Sequence, residues 1–294
     1  MRVFVTGAAG FIGAAVVNEL TANGHQVLGL ARSDANVASL KAAGVDVHRG
    51  SLEDLDSLRS GADAADGLIH CAYIHDFSKF AANAEVDRCA LEAMARALEG
   101  SNKPLISTSG LLGLAPGQVA TENAAANAAV SPRKSEEVLA AAARGVRAMT
   151  IRLPPTTHEG NKGGFIPYLI ATARQKGVSA YVADGRNRWP AAHRLDAALL
   201  YRLALEKGAA GARYHAIGDE GLAFREIAEV IGKRLNLPVV SKLPAEAVDH
   251  FGFLGLFAGM DAPTSAAQTR QQLGWRPTRP GLIADLEHAG SFAG

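Results

Sequence analysis

Three glycines near the start of the chain constrain the fold more than any other feature. The sequence TGAAGFIG begins at Thr6, between an apolar run typical of a strand and an amphipathic pattern typical of a helix. Gly7 allows a tight turn, Gly10 allows close approach of a pyrophosphate, and Gly13 lets the helix pack on the sheet. The N-terminus of that helix presents N–H groups to phosphates. The residues predicted to contact a dinucleotide here are Gly7, Gly10, Phe11, Ile12 and Gly13.

Short apolar runs alternate with helical patterns over the first half of the chain. Strands buried on both faces appear as continuous apolar runs, and alternation with helices is typical of a parallel, doubly wound sheet. We therefore predict an α/β Rossmann fold with strand order 3-2-1-4-5-6. The predicted strands are Val3–Thr6, Gln26–Leu30, Val45–Val47, Gly67–Cys71, Pro104–Thr108 and Arg147–Leu153, and a helix is predicted from Pro132 to about Arg144.

Composition excludes several classes of protein. Lys and Arg number 30 against 29 Asp and Glu, so no basic surface for nucleic acid is indicated. No apolar run approaches the ~18 residues of a membrane span, and the N-terminus does not resemble a signal peptide. The two cysteines, Cys71 and Cys89, form no pattern typical of a metal site. These features predict a cytoplasmic protein with no metal and no membrane or nucleic-acid partner.

The end of the second predicted strand indicates which nucleotide is bound. Folds that prefer NAD place an acidic residue there for the ribose 2′-OH, whereas this chain has Ala31 followed by Arg32 and Ser33. A guanidinium can bind a 2′-phosphate with two hydrogen bonds, and a serine can donate another. We therefore predict NADP(H), although Arg32 in a solvated loop is the alternative. Ser51 and Leu52, after the third strand, are predicted to lie near the adenine.

Several segments together resemble the extended short-chain dehydrogenase/reductases. Besides the glycine loop, they are Ile69–Ala72, Ile106–Gly110, Arg152–Pro155, Ala192–Ala197 and Leu273–Pro277. The resemblance implies cofactor contacts by Cys71, Ala72, Ser107 and Pro154. It also implies a dinucleotide-binding domain at 1–153, rejoined by about 190–213, and a lobe at 154–294 that mainly binds substrate.

The chain departs from this superfamily at its catalytic Tyr-x-x-x-Lys pair. The segment after the fifth strand contains no tyrosine. If Glu137 matches the glutamate one turn beyond the family's lysine, Ala129 takes the place of the tyrosine and Arg133 that of the lysine. The departure resembles the atypical subgroup of NAD(P)-dependent epimerase/dehydratase-like proteins. Arg133 is predicted to hold ribose or phosphate, or else to be an exposed helix residue, and it cannot act as a base.

Without the catalytic tyrosine, other side chains must act as the acid or hydrogen-bond donor of the reaction. Reduction of a carbonyl needs a hydrogen-bond donor near the developing alkoxide. Ser109 matches the family's catalytic serine, with Thr108 beside it; the alternative is a hydroxyl that satisfies local backbone. Tyr73 and His75 follow the fourth strand, at the sheet edge where ligands bind. Alternatively, Tyr73 packs in the wall and His75 is exposed.

The prediction is an NADPH-dependent oxidoreductase that reduces a small, mostly apolar aldehyde or ketone. A cofactor-retaining epimerase, dehydratase or isomerase is one alternative, and a non-catalytic NADP(H) sensor is the other. Aromatic residues at 165–168 and in Phe251–Phe257 are candidates for an apolar pocket, and the latter segment is equally consistent with lobe core. The expected partner is a small-molecule carbonyl substrate, and the chain is expected to be a monomer or a homodimer.

Overall fold

The computed structural model describes residues 1–76, 79–126, 134–288, 290 and 292. Its centre is a seven-stranded parallel sheet with the order β10-β6-β5-β4-β1-β2-β3. The predicted order of the first six strands is confirmed, and β10 extends the sheet beyond β6. These strands are β1 (Arg2–Thr6), β2 (Gln26–Ala31), β3 (Asp46–Arg49), β4 (Gly67–His70), β5 (Pro104–Gly110), β6 (Arg147–Leu153) and β10 (Arg213–His215).

Helices cover both faces of this sheet. Residues alternate between the faces of a strand, so Val3 and Val5 of β1 pack in one layer while Phe4 packs in the other. The helices are α1 (Phe11–Ala22), α2 (Asp34–Ala42), α3 (Leu55–Asp63), α4 (Phe80–Ala97), α5 (Ile166–Lys176), α6 (Arg194–Lys207), α7 (Phe224–Leu235), α8 (Ala247–Phe251), α9 (Ala267–Leu273) and α10 (Leu282–His288). Helices α1 and α6 pack together on the Val3 side, and α3 and α4 pack together on the Phe4 side.

A third apolar cluster lies in the C-terminal half, around the buried side chains of Trp189, Phe224 and Phe251. Strands β7 (Thr156–His158), β9 (Arg188–His193) and β11 (Asp219–Ala223) form a small mixed sheet there. Strands β8 (Ser179–Val182) and β12 (Val239–Lys242) form a parallel pair. This half of the chain supplies the wall that faces the large sheet across a cleft.

Some predicted boundaries near the cleft were wrong. Strand β4 ends at His70 rather than Cys71, and β5 runs to Gly110, so it includes Ser109. Ser135–Arg144 is helical up to the predicted end, as a 3-10 helix, and Pro132 and Arg133 lie outside the described residues. Within the part of the chain that the structure describes, no helix has the length and apolar character needed to cross a membrane.

Candidate functional site

The glycine loop joins β1 to α1 at the C-terminal edge of the sheet. Gly7 has a φ of +67°, and a Cβ on Gly13 would lie 2.0 Å from the Gly7 carbonyl oxygen, so both positions require glycine. Gly10 caps α1 without a side-chain hydrogen bond, and the first turn has no acidic residue. The free N–H groups of that turn, together with the helix dipole, therefore favour an anion at this point of the cleft.

The adenosine end of the cleft is formed beyond β2. Arg32 is exposed and lines the cleft, and no hydrogen bond or ion pair joins it to the residues described. Asp34, the acid nearest in sequence, is paired with Arg49. Ser33 accepts a hydrogen bond from the Asn36 amide and so caps α2, which leaves its hydroxyl proton available. This end of the cleft therefore carries one guanidinium, from Arg32, and one carboxylate, from Glu53, among the described residues that line it.

The end of β5 brings a free hydroxyl to the middle of the cleft. Ser109 is 4% exposed and lines the cleft, and its Oγ has no hydrogen-bond partner among the described residues. Thr108 points to the opposite face, where its hydroxyl donates to the His70 carbonyl at 2.7 Å and accepts from the Tyr201 phenol at 2.7 Å. Because the proton of Thr108 is used in this way, Ser109 is the one of these two hydroxyls whose proton is available to the cleft.

Ser107 lies one pleat deeper than Ser109, on the same face of β5. It is fully buried, and its hydroxyl lies 2.7 Å from the Thr150 hydroxyl. Its side chain is not among those that line the cleft. The contact between Ser107 and the cofactor therefore stays a prediction, and this hydroxyl is paired with Thr150 in the structure.

The loop after β4 forms one wall of the cleft. The rings of Tyr73 and His75 meet edge to face, with centroids 5.3 Å apart, and both residues line the cleft. His75 is exposed, and its Nδ1 lies 3.1 Å from the Tyr73 carbonyl oxygen. The Asn83 amide on α4 donates to the carbonyls of Ile74 and Asp76, at 3.3 Å and 2.8 Å. The loop is thus fastened to α4 with its rings towards the cleft.

Beneath this loop lies a buried chain of polar side chains that the sequence patterns did not reveal. His70 Nε2 is 2.9 Å from Asp87 Oδ1, and His70 Nδ1 is 2.8 Å from Thr6 Oγ1. His70 is 1% exposed, Asp87 is 3% exposed and Thr6 is fully buried. They are far apart in sequence, and the one available signal was a charged residue on the inward face of α4. Asp87 is also among the residues that line the cleft.

Cys71, Ala72 and Pro154, for which the resemblance implies a contact with the cofactor, line the cleft. Burial raises the pKa of the Cys71 thiol to about 12, and hydrogen bonding to Thr108 and Tyr201 lowers it less. Cys71 is therefore a neutral thiol that supplies packing surface and not a nucleophile.

Aromatic side chains from the C-terminal half form the opposite wall. Phe165 stacks on Phe257 with centroids 6.2 Å apart, and Tyr168 meets Phe253 edge to face at 5.2 Å. Phe165, Tyr168 and Phe257 line the cleft, whereas Phe251 is buried in the apolar cluster. The segment predicted as either pocket wall or lobe core therefore contributes to both.

The whole cleft has a volume of about 850 Å³ and runs without interruption from the glycine loop to this aromatic wall. Among the described residues that line it, Arg32 alone carries a fixed positive charge, and it lies at the adenosine end. The predicted site residues found in the lining are Gly7, Gly10, Phe11, Ile12, Gly13, Arg32, Ser51, Leu52, Cys71, Ala72, Tyr73, His75, Thr108, Ser109 and Pro154. Arg133 lies outside the described residues.

Comparison with known proteins identifies the family. The model of the NAD dependent epimerase/dehydratase family matches residues 3–218. The chain belongs to that family. It is 49% identical to protein C2A9.02 of Schizosaccharomyces pombe, over 97% of this chain and 98% of that protein. It is also 26% identical to the 2-alkyl-3-oxoalkanoate reductase of Stenotrophomonas maltophilia, over 82% of this chain and 78% of that protein.

A solved structure shows the same fold. The dTDP-glucose 4,6-dehydratase DesIV from Streptomyces venezuelae, with NAD and TYD bound, superposes with a TM-score of 0.76 at 21% identity. The match covers 98% of this chain and 95% of that structure. Membership of the epimerase/dehydratase family indicates an NAD(P)-dependent enzyme of oxidoreductase or dehydratase type, with a nicotinamide dinucleotide as its cofactor. The glycine loop and the uncapped first turn of α1 fit the pyrophosphate of such a cofactor.

A buried ion pair supports the floor of the site below Pro154. Arg152 is fully buried and donates two hydrogen bonds of 2.7 Å to Glu136. Arg213 also donates to Glu136, at 2.9 Å, and Arg152 lies 3.2 Å from His215 Nε2. This network joins the 3-10 helix to β6 and β10, and so fixes the end of β6 from which Pro154 enters the cleft.

Proposed function

We propose that this member of the family is an NADPH-dependent reductase of small, mostly apolar aldehydes or ketones. The observation that carries the proposal is the Ser109 hydroxyl, which has no hydrogen-bond partner in the described part of the chain and lies between the glycine loop and an aromatic wall in one continuous cleft. A bound NADPH would supply hydride to the carbonyl carbon. Ser109 would donate a hydrogen bond to the carbonyl oxygen and so stabilise the negative charge that develops there.

The lining of the cleft supports an uncharged substrate. A nucleotide sugar carries a diphosphate, which proteins usually bind with cationic side chains or helix N-termini. In the described lining, Arg32 lies at the adenosine end, and the wall of Phe165, Tyr168 and Phe257 is apolar. The name of the Stenotrophomonas relative, a reductase of 2-alkyl-3-oxoalkanoates, agrees with a carbonyl on an apolar chain.

The preference for NADPH rests on Arg32. Its guanidinium is exposed at the end of β2, and the neighbouring carboxylate of Asp34 is occupied by Arg49. A 2′-phosphate carries the charge that an available guanidinium binds best.

Tyr73 and His75 complete the proposed substrate site. We also propose a cytoplasmic location for the protein.

The test uses purified protein, NADPH and a panel of uncharged aldehydes and ketones, with absorbance of the reduced cofactor as the readout. We expect NADPH consumption that Ser109→Ala abolishes while the Kd for NADPH stays unchanged. Ser179→Ala is the matched control, because Ser179 is also a buried serine but bonds to the Ala228 carbonyl outside the cleft. Unchanged turnover in Ser109→Ala would remove Ser109 from the mechanism.

Binding of NADPH without consumption on any carbonyl would overturn the reductase. The same samples incubated with a nucleotide sugar would then separate the remaining functions. Conversion without net change in cofactor would indicate an epimerase or dehydratase, and no conversion would indicate a sensor of NADP(H).

A further inference from the structure

The proposed reduction requires a proton, and a serine at its ordinary pKa is a poor source of one. Among the buried titratable groups that line the cleft or touch its lining, His70 and Asp87 form a hydrogen-bonded pair. Asp87 Oδ1 bonds to His70, whereas Oδ2 has no hydrogen-bond partner in the described part of the chain. One oxygen of the Asp87 carboxylate is therefore hydrogen-bonded to the His70 imidazole, and the other is available to the cleft.

The sheet register places this pair beside Ser109. His70 on β4 pairs with Ser107 on β5, and Ser109 lies two residues further towards the edge on the same face. Asp87 lies on α4, which packs on this face. Asn83, four residues earlier on the same side of α4, holds the loop that carries Tyr73. The pair therefore lies under that loop, with His70 one pleat deeper than Ser109 and with Asp87 in the lining of the same cleft.

The third member of the chain, Thr6, lets the pair hold a proton or release it. When His70 is neutral, its Nε2–H donates to Asp87 and the Thr6 hydroxyl donates to its Nδ1. When His70 is protonated, Nδ1–H donates to Thr6 Oγ1 instead, because a hydroxyl both donates and accepts. Thr6 Oγ1 lies 2.8 Å from Nδ1 and also accepts from the Ala72 amide at 3.4 Å. Both protonation states are thus compatible with the same positions of the heavy atoms.

We infer that Asp87 and His70 together supply the proton that the product takes up. The inference rests on the proposed reduction. As the carbonyl carbon accepts hydride, the C=O π bond breaks and its electron pair moves to oxygen. That oxygen takes a proton from Asp87 Oδ2, while the Nε2–H of neutral His70 keeps its hydrogen bond to Asp87 Oδ1 and stabilises the carboxylate that forms. The step ends with an alcohol, a neutral His70 and an ionised Asp87, and solvent returns one proton.

The first test is Asp87→Asn, which keeps the size of the side chain and an oxygen that can accept from His70. We expect kcat to fall by roughly 100-fold or more, as for loss of a general acid, with an unchanged Kd for NADPH. Glu92→Gln is the matched control, because Glu92 is on the same helix but pairs with Arg144 away from the cleft. Equal turnover in Asp87→Asn and the wild type would overturn the inference.

A second variant separates a proton donor from a structural carboxylate. Asp87→Ala removes the carboxylate, and added formate should restore turnover in proportion to its concentration if proton supply is what was lost. Loss of activity in Asp87→Asn without rescue of Asp87→Ala would assign a structural role and overturn the inference. If turnover falls only in Tyr73→Phe or His75→Gln, the proton donor lies in the loop after β4, and the inference is overturned.

A third measurement needs no turnover. In protein labelled with ¹⁵N-histidine and free of cofactor, the His70 signals are identified by their absence in His70→Gln. We expect Nε2 to carry a proton in the wild type. A neutral ring protonated on Nδ1 would overturn the inference even if the protein is a reductase. If no carbonyl is reduced, the proposed function fails instead, whatever the state of His70.

Discussion

The phenol oxygen of Tyr201 lies 2.7 Å from Thr108 Oγ1, although the two residues are 93 positions apart in the sequence. Thr108 donates its own proton to the His70 carbonyl, so Tyr201 must be the donor in this contact. The contact joins α6 to the strand that carries Ser109. It therefore holds Thr108 in a rotamer that keeps its proton away from a substrate.

Tyr201→Phe should lower stability with little effect on cofactor binding. Tyr201 is fully buried, and removal of its hydroxyl leaves Thr108 without a donor. A typical intramolecular hydrogen bond contributes about 1 kcal/mol, so we expect a loss near that size in the free energy of unfolding, measured with urea. The Kd for NADPH, measured by fluorescence, should not change. A large increase in that Kd would mean that α6 positions the cofactor directly.

Arg32→Ala should weaken binding of NADPH far more than binding of NADH. A hydrogen bond to a charged group contributes about 1.5–3 kcal/mol, which corresponds to roughly a 10- to 150-fold rise in the Kd for NADPH. Arg59→Ala is the control, since Arg59 is an exposed arginine that pairs with Asp56 and does not line the cleft. Equal losses for the two cofactors would show that Arg32 does not contact the 2′-phosphate.

Glu136→Gln should destabilise the fold at neutral pH. Removing one partner of a buried ion pair leaves a buried charge, here Arg152, and typically costs about 3–5 kcal/mol. Urea unfolding at pH 7 measures this loss. Glu229→Gln, in an exposed pair with Arg225, is the control and should unfold like the wild type. A loss as small as that of the control would mean that Arg152 finds another partner.

The same carboxylate predicts how stability depends on pH. Burial raises the pKa of Glu136, but hydrogen bonds and charge from Arg152 and Arg213 outweigh burial, so its pKa lies below the ordinary 4.5. The stabilisation is therefore fully present above that ordinary value and is lost as pH falls through the lowered pKa. Between about pH 5 and pH 3 the wild type should lose more stability than Glu136→Gln. Parallel curves for the two proteins would contradict this assignment.

The sequence predicted those parts of the site that are formed by residues close together in the chain. The glycine loop needs three glycines within seven residues, and β1, β2, β4, β5 and β6 are mostly buried, so apolar runs mark them in the sequence. Ser33 also carried a signal for its second role, because a serine before Asp-Ala-Asn is a typical helix N-cap. The capping bond uses the acceptor side of the hydroxyl, whereas the predicted contact with a phosphate would use its proton.

Contacts between distant segments could not be predicted in this way. His70 and Asp87 are 17 residues apart, and Thr6 is 64 residues from His70. They meet because β1 and β4 are neighbours and α4 crosses above them, which is a property of the assembled sheet. The orientation of the Thr108 hydroxyl could not be predicted either, because it depends on the contact with Tyr201 of α6.

Gly163 supports the aromatic side chain at the entrance to the glycine loop. A Cβ on Gly163 would lie 2.1 Å from Cε1 of Phe11, which itself lines the cleft. The φ of Gly163 is +85°, a conformation that strains any other residue. Gly177 has a similar φ of +71° but nothing within 4 Å of an added Cβ. The two positions therefore differ in the contacts that an added Cβ would make, with the ring of Phe11 and with the Thr157 carbonyl oxygen at 2.5 Å.

Gly163→Ala should be more destabilising than Gly177→Ala and should also weaken cofactor binding. Both variants carry the strain of a positive φ, about 1–2 kcal/mol, and overpacking against Phe11 adds about 1–3 kcal/mol in Gly163→Ala alone. Displacement of Phe11 should raise the Kd for NADPH, whereas Gly177→Ala should leave it unchanged. Urea unfolding and fluorescence titration measure the two effects. Equal stability and equal affinity in the two variants would mean that Phe11 moves aside freely and does not position the cofactor.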